Sequence, residues 1–102
     1  MRAAVSNHLD KIMKLLYFAM LRDIAGKKEE QWLQPAATLG ELIASLGKRY
    51  GPDFEKWLSH GGCMSGMAMI LVNGRDARQL QHFDTPLHPD DEIVIIPPVA
   101  GG

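Results

Sequence analysis

The sequence lacks most of the features that declare a chemistry outright. It holds one cysteine, Cys63, among 102 residues. A single thiol closes no disulfide within the chain and suits a reducing compartment, so the cytoplasm is the expected location. Neither sign of charge dominates, with eleven Lys and Arg against twelve Asp and Glu and a net charge of -1 at pH 7. That balance leaves no cationic footprint for gripping a phosphate backbone, so nucleic acid is not an expected partner. Long hydrophobic runs are missing too. The longest, from Leu15 to Leu21, has seven residues, whereas a membrane-crossing helix needs about 20. No apolar signal-peptide core stands near the start, so no membrane partner is expected.

Catalytic constellations are equally scarce. His60, His82 and His88 are too widely spaced to read as a zinc site. Cys63 stands beside Gly61 and Gly62 with no motif that would lower its pKa, and it reads as a bystander. No paired carboxylates or triad spacings occur. No metal and no stably bound cofactor are expected, and no self-contained active site. Whether the chain counts as an enzyme depends on a partner.

What is present describes one globular domain. At 46% hydrophobic and 23% charged residues, the composition is close to the globular average of roughly 45 to 50% apolar and about 25% charged. Residues 1–12 show no sustained period and read as a loose N-terminal extension ahead of a domain over residues 13–96. The apolar run over residues 15–20 reads as a buried strand, followed by a turn at residues 25–28 and a second strand over residues 29–35. Thr38 and Glu41 have capping-box spacing, which starts a helix. Leu39, Leu42, Ile43 and Leu46 then lay one apolar stripe along it until it ends near Tyr50 and Gly51. Residues 52–58 suggest a short second helix, and residues 60–67, with three glycines, a flexible excursion. A strand over residues 68–72 turns at Asn73 and Gly74 into a short partner, and residues 92–96 form the last strand. This order predicts an α+β fold of the β-grasp type, a mixed sheet with one main helix on one face and the two terminal strands central.

Beyond Ile96 the chain runs Pro97, Pro98, Val99, Ala100, Gly101, Gly102. The prolines remove backbone donors and stiffen the base of this segment. Its last four residues carry too little side chain to repay an ordering cost of about 1 to 2 kcal/mol per residue. Residues 97–102 are therefore expected to form a flexible tail. Glycine has no Cβ, so a carboxylate on Gly102 can thread a channel that excludes anything larger.

The chain from Met13 onward resembles the ubiquitin-like sulfur carrier family, specifically its molybdopterin synthase small-subunit branch. The resemblance rests on residues 14–19 (Lys-Leu-Leu-Tyr-Phe-Ala) with Arg22, on Val72-Asn73-Gly74, on Asp84-Thr85-Pro86-Leu87, and above all on the doubled proline before the diglycine. It implies that an adenylating E1-like enzyme spends ATP to activate the Gly102 carboxylate, and that a persulfide protein then supplies sulfur to make a thiocarboxylate. It also implies a heteromeric partner, the large synthase subunit, which receives Pro97 to Gly101 in a tunnel and uses the sulfur to build a dithiolene for the molybdenum cofactor. The alternatives are a carrier for thiamine or for thiolation of tRNA or protein, a ubiquitin-like modifier joined to lysines, and a plain binding module.

The first strand is apolar on both alternating faces, through Leu16, Phe18 and Met20 as well as Leu15, Tyr17 and Ala19, yet one helix covers only one face of a sheet. Either a partner docks on the open face, with Phe18 as an anchor, or the loop after Leu58 covers it. Met64, Met67 and Met69 read as core or loop packing in preference to a contact patch.

Overall fold

The computed structural model describes residues 12–98. Its elements are β1 (Met13–Tyr17), α1 (Met20–Ala25), β2 (Glu29–Trp32), α2 (Leu39–Tyr50), α3 (Pro52–Glu55), β3 (Ser59–His60), β4 (Cys63–Met64), β5 (Met69–Val72), β6 (Arg75–Asp76) and β7 (Glu92–Ile96). Two single 3-10 turns, Ala77–Gln79 and His82–Asp84, connect β6 to β7. The main sheet has the order β2-β1-β7-β5-β6. β1 and β7 lie side by side and parallel, pairing Leu15 with Ile93 and Tyr17 with Ile95. β7 pairs antiparallel with β5 on its other side. The two terminal strands are thus central, as their apolar content predicts.

Helix α2 starts where the capping box lies. The Glu41 N–H donates to Thr38 Oγ1 at 3.3 Å, and Glu41 Oε1 accepts from the Ala37 N–H at 2.9 Å. Leu39, Leu42, Ile43 and Leu46 are all buried. They pack in one core with Leu15, Tyr17, Ile70, Val72, Ile93 and Ile95, the inward residues of the three central strands. Such burial is worth about 1.5 to 3 kcal/mol per large side chain before entropy is subtracted. The β5–β6 hairpin turns at Asn73 and Gly74, with φ of 53° and 84°, the positive pair a two-residue hairpin turn requires. The Asn73 side chain also holds this turn to the start of β7. Its Oδ1 accepts from the Glu92 N–H, and its Nδ2 donates to Asp91 Oδ1, both at 2.9 Å.

Three local expectations need correction. The first strand ends at Tyr17 and does not run to Met20; the chain turns at Phe18 and Ala19, and Met20–Ala25 is helical. Leu21, buried on α1, fills the core, so the apolar run is continuous because both elements on either side of the turn need apolar residues. The second strand stops at Trp32, short of residue 35. Residues 60–67 are an ordered excursion. β3 and β4 pair through a turn at Gly61 and Gly62, with φ of 60° and 83°. The Ser65 hydroxyl closes its base by donating to the Trp57 carbonyl at 2.6 Å.

Leu42→Ala is expected to cost about 2 to 5 kcal/mol in denaturant unfolding, as for other large-to-small changes in tight cores. Leu42→Asp should abolish the cooperative transition, because it places an unpaired charge at a fully buried position.

Candidate functional site

The chain leaves the sheet at its centre. β7 ends at Ile96, Pro97 is still buried, and Pro98 is exposed. The segment 97–98 therefore projects from between β1 and β5 with its first residue packed. Val99, Ala100, Gly101 and Gly102, the rest of the predicted tail, lie outside the described residues, as does all of the predicted N-terminal extension except Ile12.

Around this exit the sheet is apolar on the side away from α2. Burial along β1, β5 and β7 alternates between residues packed under the helix and residues half-buried or exposed, with the charged pair Lys14 and Glu92 at the far end of the strands. Leu16 and Leu71 each pair with Val94, and Met69 pairs with Ile96, so these five side chains share the open face. Met69 is 41% exposed, and Phe18, just past the end of β1, is 43% exposed. The excursion after Leu58 does not close this face. β4 packs on the His82–Asp84 turn, and Ser59 and Gly62 line a cleft with Thr38, Gly40 and Glu41 of the helical side. Of the methionines, Met64 packs against the core, whereas Met67 and Met69 are exposed.

The end of β1 that leads to Phe18 is anchored by a buried carboxylate that the sequence reading missed. Glu30 on β2 accepts hydrogen bonds from the Tyr17 hydroxyl at 2.6 Å and from the Tyr50 hydroxyl, and Arg49 donates to its second oxygen at 2.6 Å. Lys27 adds a positive charge 3.9 Å away. Burial pushes the Glu30 carboxyl upward, but the two tyrosine hydrogen bonds and the Lys27 and Arg49 charges outweigh it and hold the group below its ordinary 4.5. Burial, and then the bond to Glu30, push the Tyr17 hydroxyl far upward, so it remains a donor at physiological pH. Tyr17 and Tyr50 each pack a ring on Phe54, with centroids 5.5 and 5.1 Å away. The signal available in the sequence was small: a Glu on the inward-facing parity of a short strand, in phase with Trp32.

Cys63 is exposed at the start of β4. Among the described residues, no group of three or more His, Cys, Asp or Glu is placed to hold a metal ion. None of their helices is long and apolar enough to cross a membrane. Among the described residues, the site consists of an apolar face and an exit.

Residues 15–102 match the ThiS family. The chain belongs to that family. Its members are ubiquitin-like sulfur carriers of β-grasp fold, and three relatives show how closely the chain follows them. Small archaeal modifier protein 3 of Haloferax volcanii is 32% identical over 88% of this chain and 98% of its own length. The molybdopterin synthase sulfur carrier subunit of Escherichia coli is 26% identical over 89% of this chain and all of its own length. The solution structure of small archaeal modifier protein 1 from Methanosarcina acetivorans superposes with a TM-score of 0.74 at 32% identity, covering 89% of this chain and 96% of that one. The expected β-grasp fold is therefore observed, and the match runs through the diglycine.

Glu30→Ala should lower unfolding free energy by about 3 kcal/mol, because it leaves the buried Tyr17 hydroxyl and the half-buried Tyr50 hydroxyl without their acceptor. The Glu30 carboxyl is depressed in the folded state, so its contribution is complete above its unfolded value near 4.5 and is lost as pH falls through the lower folded value. Thermal unfolding followed from pH 7 to pH 3 should fall over that acid range in the wild type, with a shallower fall in Glu30→Ala.

Proposed function

We propose that the Gly102 carboxylate is the reacting group of a sulfur carrier. A carboxylate is a poor acyl donor, so an E1-like partner first joins it to AMP from ATP and releases pyrophosphate. A persulfide sulfur then attacks the acyl carbon and the bond to AMP breaks; a thiol next attacks the donor's sulfur in the resulting acyl disulfide, forming a disulfide with the donor and releasing a thiocarboxylate. The observation that supports this reading is where β7 ends. β7 is a central strand, and the chain leaves it through a packed Pro97 beside an open apolar face. An enzyme that covers this face through Phe18, Leu16, Val94 and Met69 receives the tail in its own pocket by the same act. The chain then needs no base or metal ligand of its own, because the enzyme supplies the chemistry.

The recipient we favour is the large subunit of a molybdopterin synthase, which would spend the sulfur on a dithiolene. The full-length similarity to the Escherichia coli sulfur carrier subunit supports this choice. A second reading, conjugation of Gly102 to lysines, is supported by the Haloferax volcanii relative, whose name is that of a modifier. Both begin with the same adenylation. An exposed free thiol and a need for ATP fit the cytoplasm.

Deletion of Gly102, or Gly101→Leu, should abolish sulfur transfer in a reconstituted reaction with the adenylating enzyme, the sulfur donor and the large subunit. The unfolding midpoint should stay within about a degree, because neither change removes buried area from the core. Phe18→Glu should likewise leave the midpoint nearly unchanged but weaken binding to the large subunit by about 2 kcal/mol, the loss expected for an aromatic interface anchor. Sulfur transfer by the Gly102 deletion would overturn the carrier reading. A collapse in stability of Phe18→Glu, or full affinity, would overturn the docking face.

A further inference from the structure

We infer that Ala19 is a positioning residue that holds Phe18 against β7, so that the aromatic anchor and the base of the tail meet a partner as one rigid unit. The inference rests on the docking reading above. Ala19 has φ 54° and ψ -130°, the conformation of the second residue in a type II′ turn, where glycine is the favoured occupant. An L-residue with a side chain is strained there. Ala19 is itself exposed, so core packing does not explain why the chain accepts that conformation.

The hydrogen bonds around it do. The Phe18 N–H donates to the Ile95 carbonyl of β7 at 3.3 Å, and the Phe18 carbonyl accepts from the Leu21 N–H at 3.2 Å. The Ala19 carbonyl accepts from the Arg22 and Asp23 N–H groups at 3.1 and 3.3 Å. Leu21, fully buried, plugs α1 into the core. Phe18 is therefore tied on one side to the strand that becomes the tail and on the other to a helix anchored in the core. The positive φ at position 19 lets both ties form, because the chain reverses within one residue of leaving the sheet. The side chain so held is exposed, and fixing it before binding removes an ordering cost that the complex would otherwise meet.

The test uses the full chain with two readouts: amide hydrogen exchange at Phe18, and affinity for the cognate adenylating enzyme. Ala19→Gly, which accepts the same φ, should keep Phe18 protection and affinity, with an unfolding midpoint equal to or above that of the wild type. Ala19→Val, whose β-branch resists positive φ, should release the Phe18 amide while the β7 amides stay protected, and should weaken binding about tenfold. Should Ala19→Val fail to fold, Ala19→Thr takes its place. Combined with Phe18→Ala, Ala19→Val should add no further loss of affinity, because it acts through Phe18. Additive losses, or an Ala19→Val chain with intact Phe18 protection and affinity, would overturn the positioning role and leave the carrier reading standing. A Phe18→Ala chain that binds as tightly as the wild type would overturn the docking reading and this inference with it.

Discussion

The parallel pairing of β1 with β7 is the interaction on which the rest of the structure depends. It joins the first strand of the domain to the last at the centre of the sheet, with Leu15 against Ile93 and Tyr17 against Ile95. Parallel neighbours cannot be joined by a tight turn, so everything between them must pass around the sheet. That long path supplies α2 and the β5–β6 hairpin. Because β7 is flanked on both sides, its inward residues are completely buried, and the strand is a firm base for the segment that follows it. Pro97 continues that burial by one residue before the chain becomes exposed.

The two faces of the sheet divide the work. Beneath α2, the leucine and isoleucine core supplies the favourable free energy of folding. On the other face, Leu16, Leu71, Val94 and Ile96 remain half covered although each is as apolar as its buried neighbours. Burial of these side chains is available to an association that the isolated domain does not satisfy. The Glu30 cluster stands between these roles. Its carboxylate ties β2 to Tyr17 of β1 and to Arg49 and Tyr50 at the end of α2, so the end of β1 that leads to the exposed Phe18 is held by charge-assisted hydrogen bonds as well as by packing.

Much of this fold is legible in the sequence because its strongest signals are local. The spacing of Thr38 and Glu41, the stripe from Leu39 to Leu46, the Asn73-Gly74 pair and the β-branched run at residues 93–96 each specify an element with little competition. The boundary at Phe18 and Ala19 is not legible. The residues on both sides of it are apolar, and the residue with positive φ is an alanine, whose sequence signal favours continuation. The cue that could have marked α1 was Gly26, which caps it in the left-handed conformation at φ 77°. Glu30 was hidden for a different reason: alternation places it inward, but a charged residue reads as outward unless its partners, thirteen to twenty positions away, are known. The exit from β7 was legible as a composition, two prolines after an apolar strand. Its relation to the open face emerged only from the strand order.

The central claim is that Gly102 carries sulfur. It is tested most directly by the intact mass of the protein purified from its native cell under conditions that preserve thioacids, followed by the mass of its C-terminal peptide. The account predicts a population heavier by a single oxygen-to-sulfur exchange, confined to the peptide ending in Gly102 and lost on mild hydrolysis. Recovery of the chain solely as the free carboxylate, with its activating enzyme present and active, would contradict it.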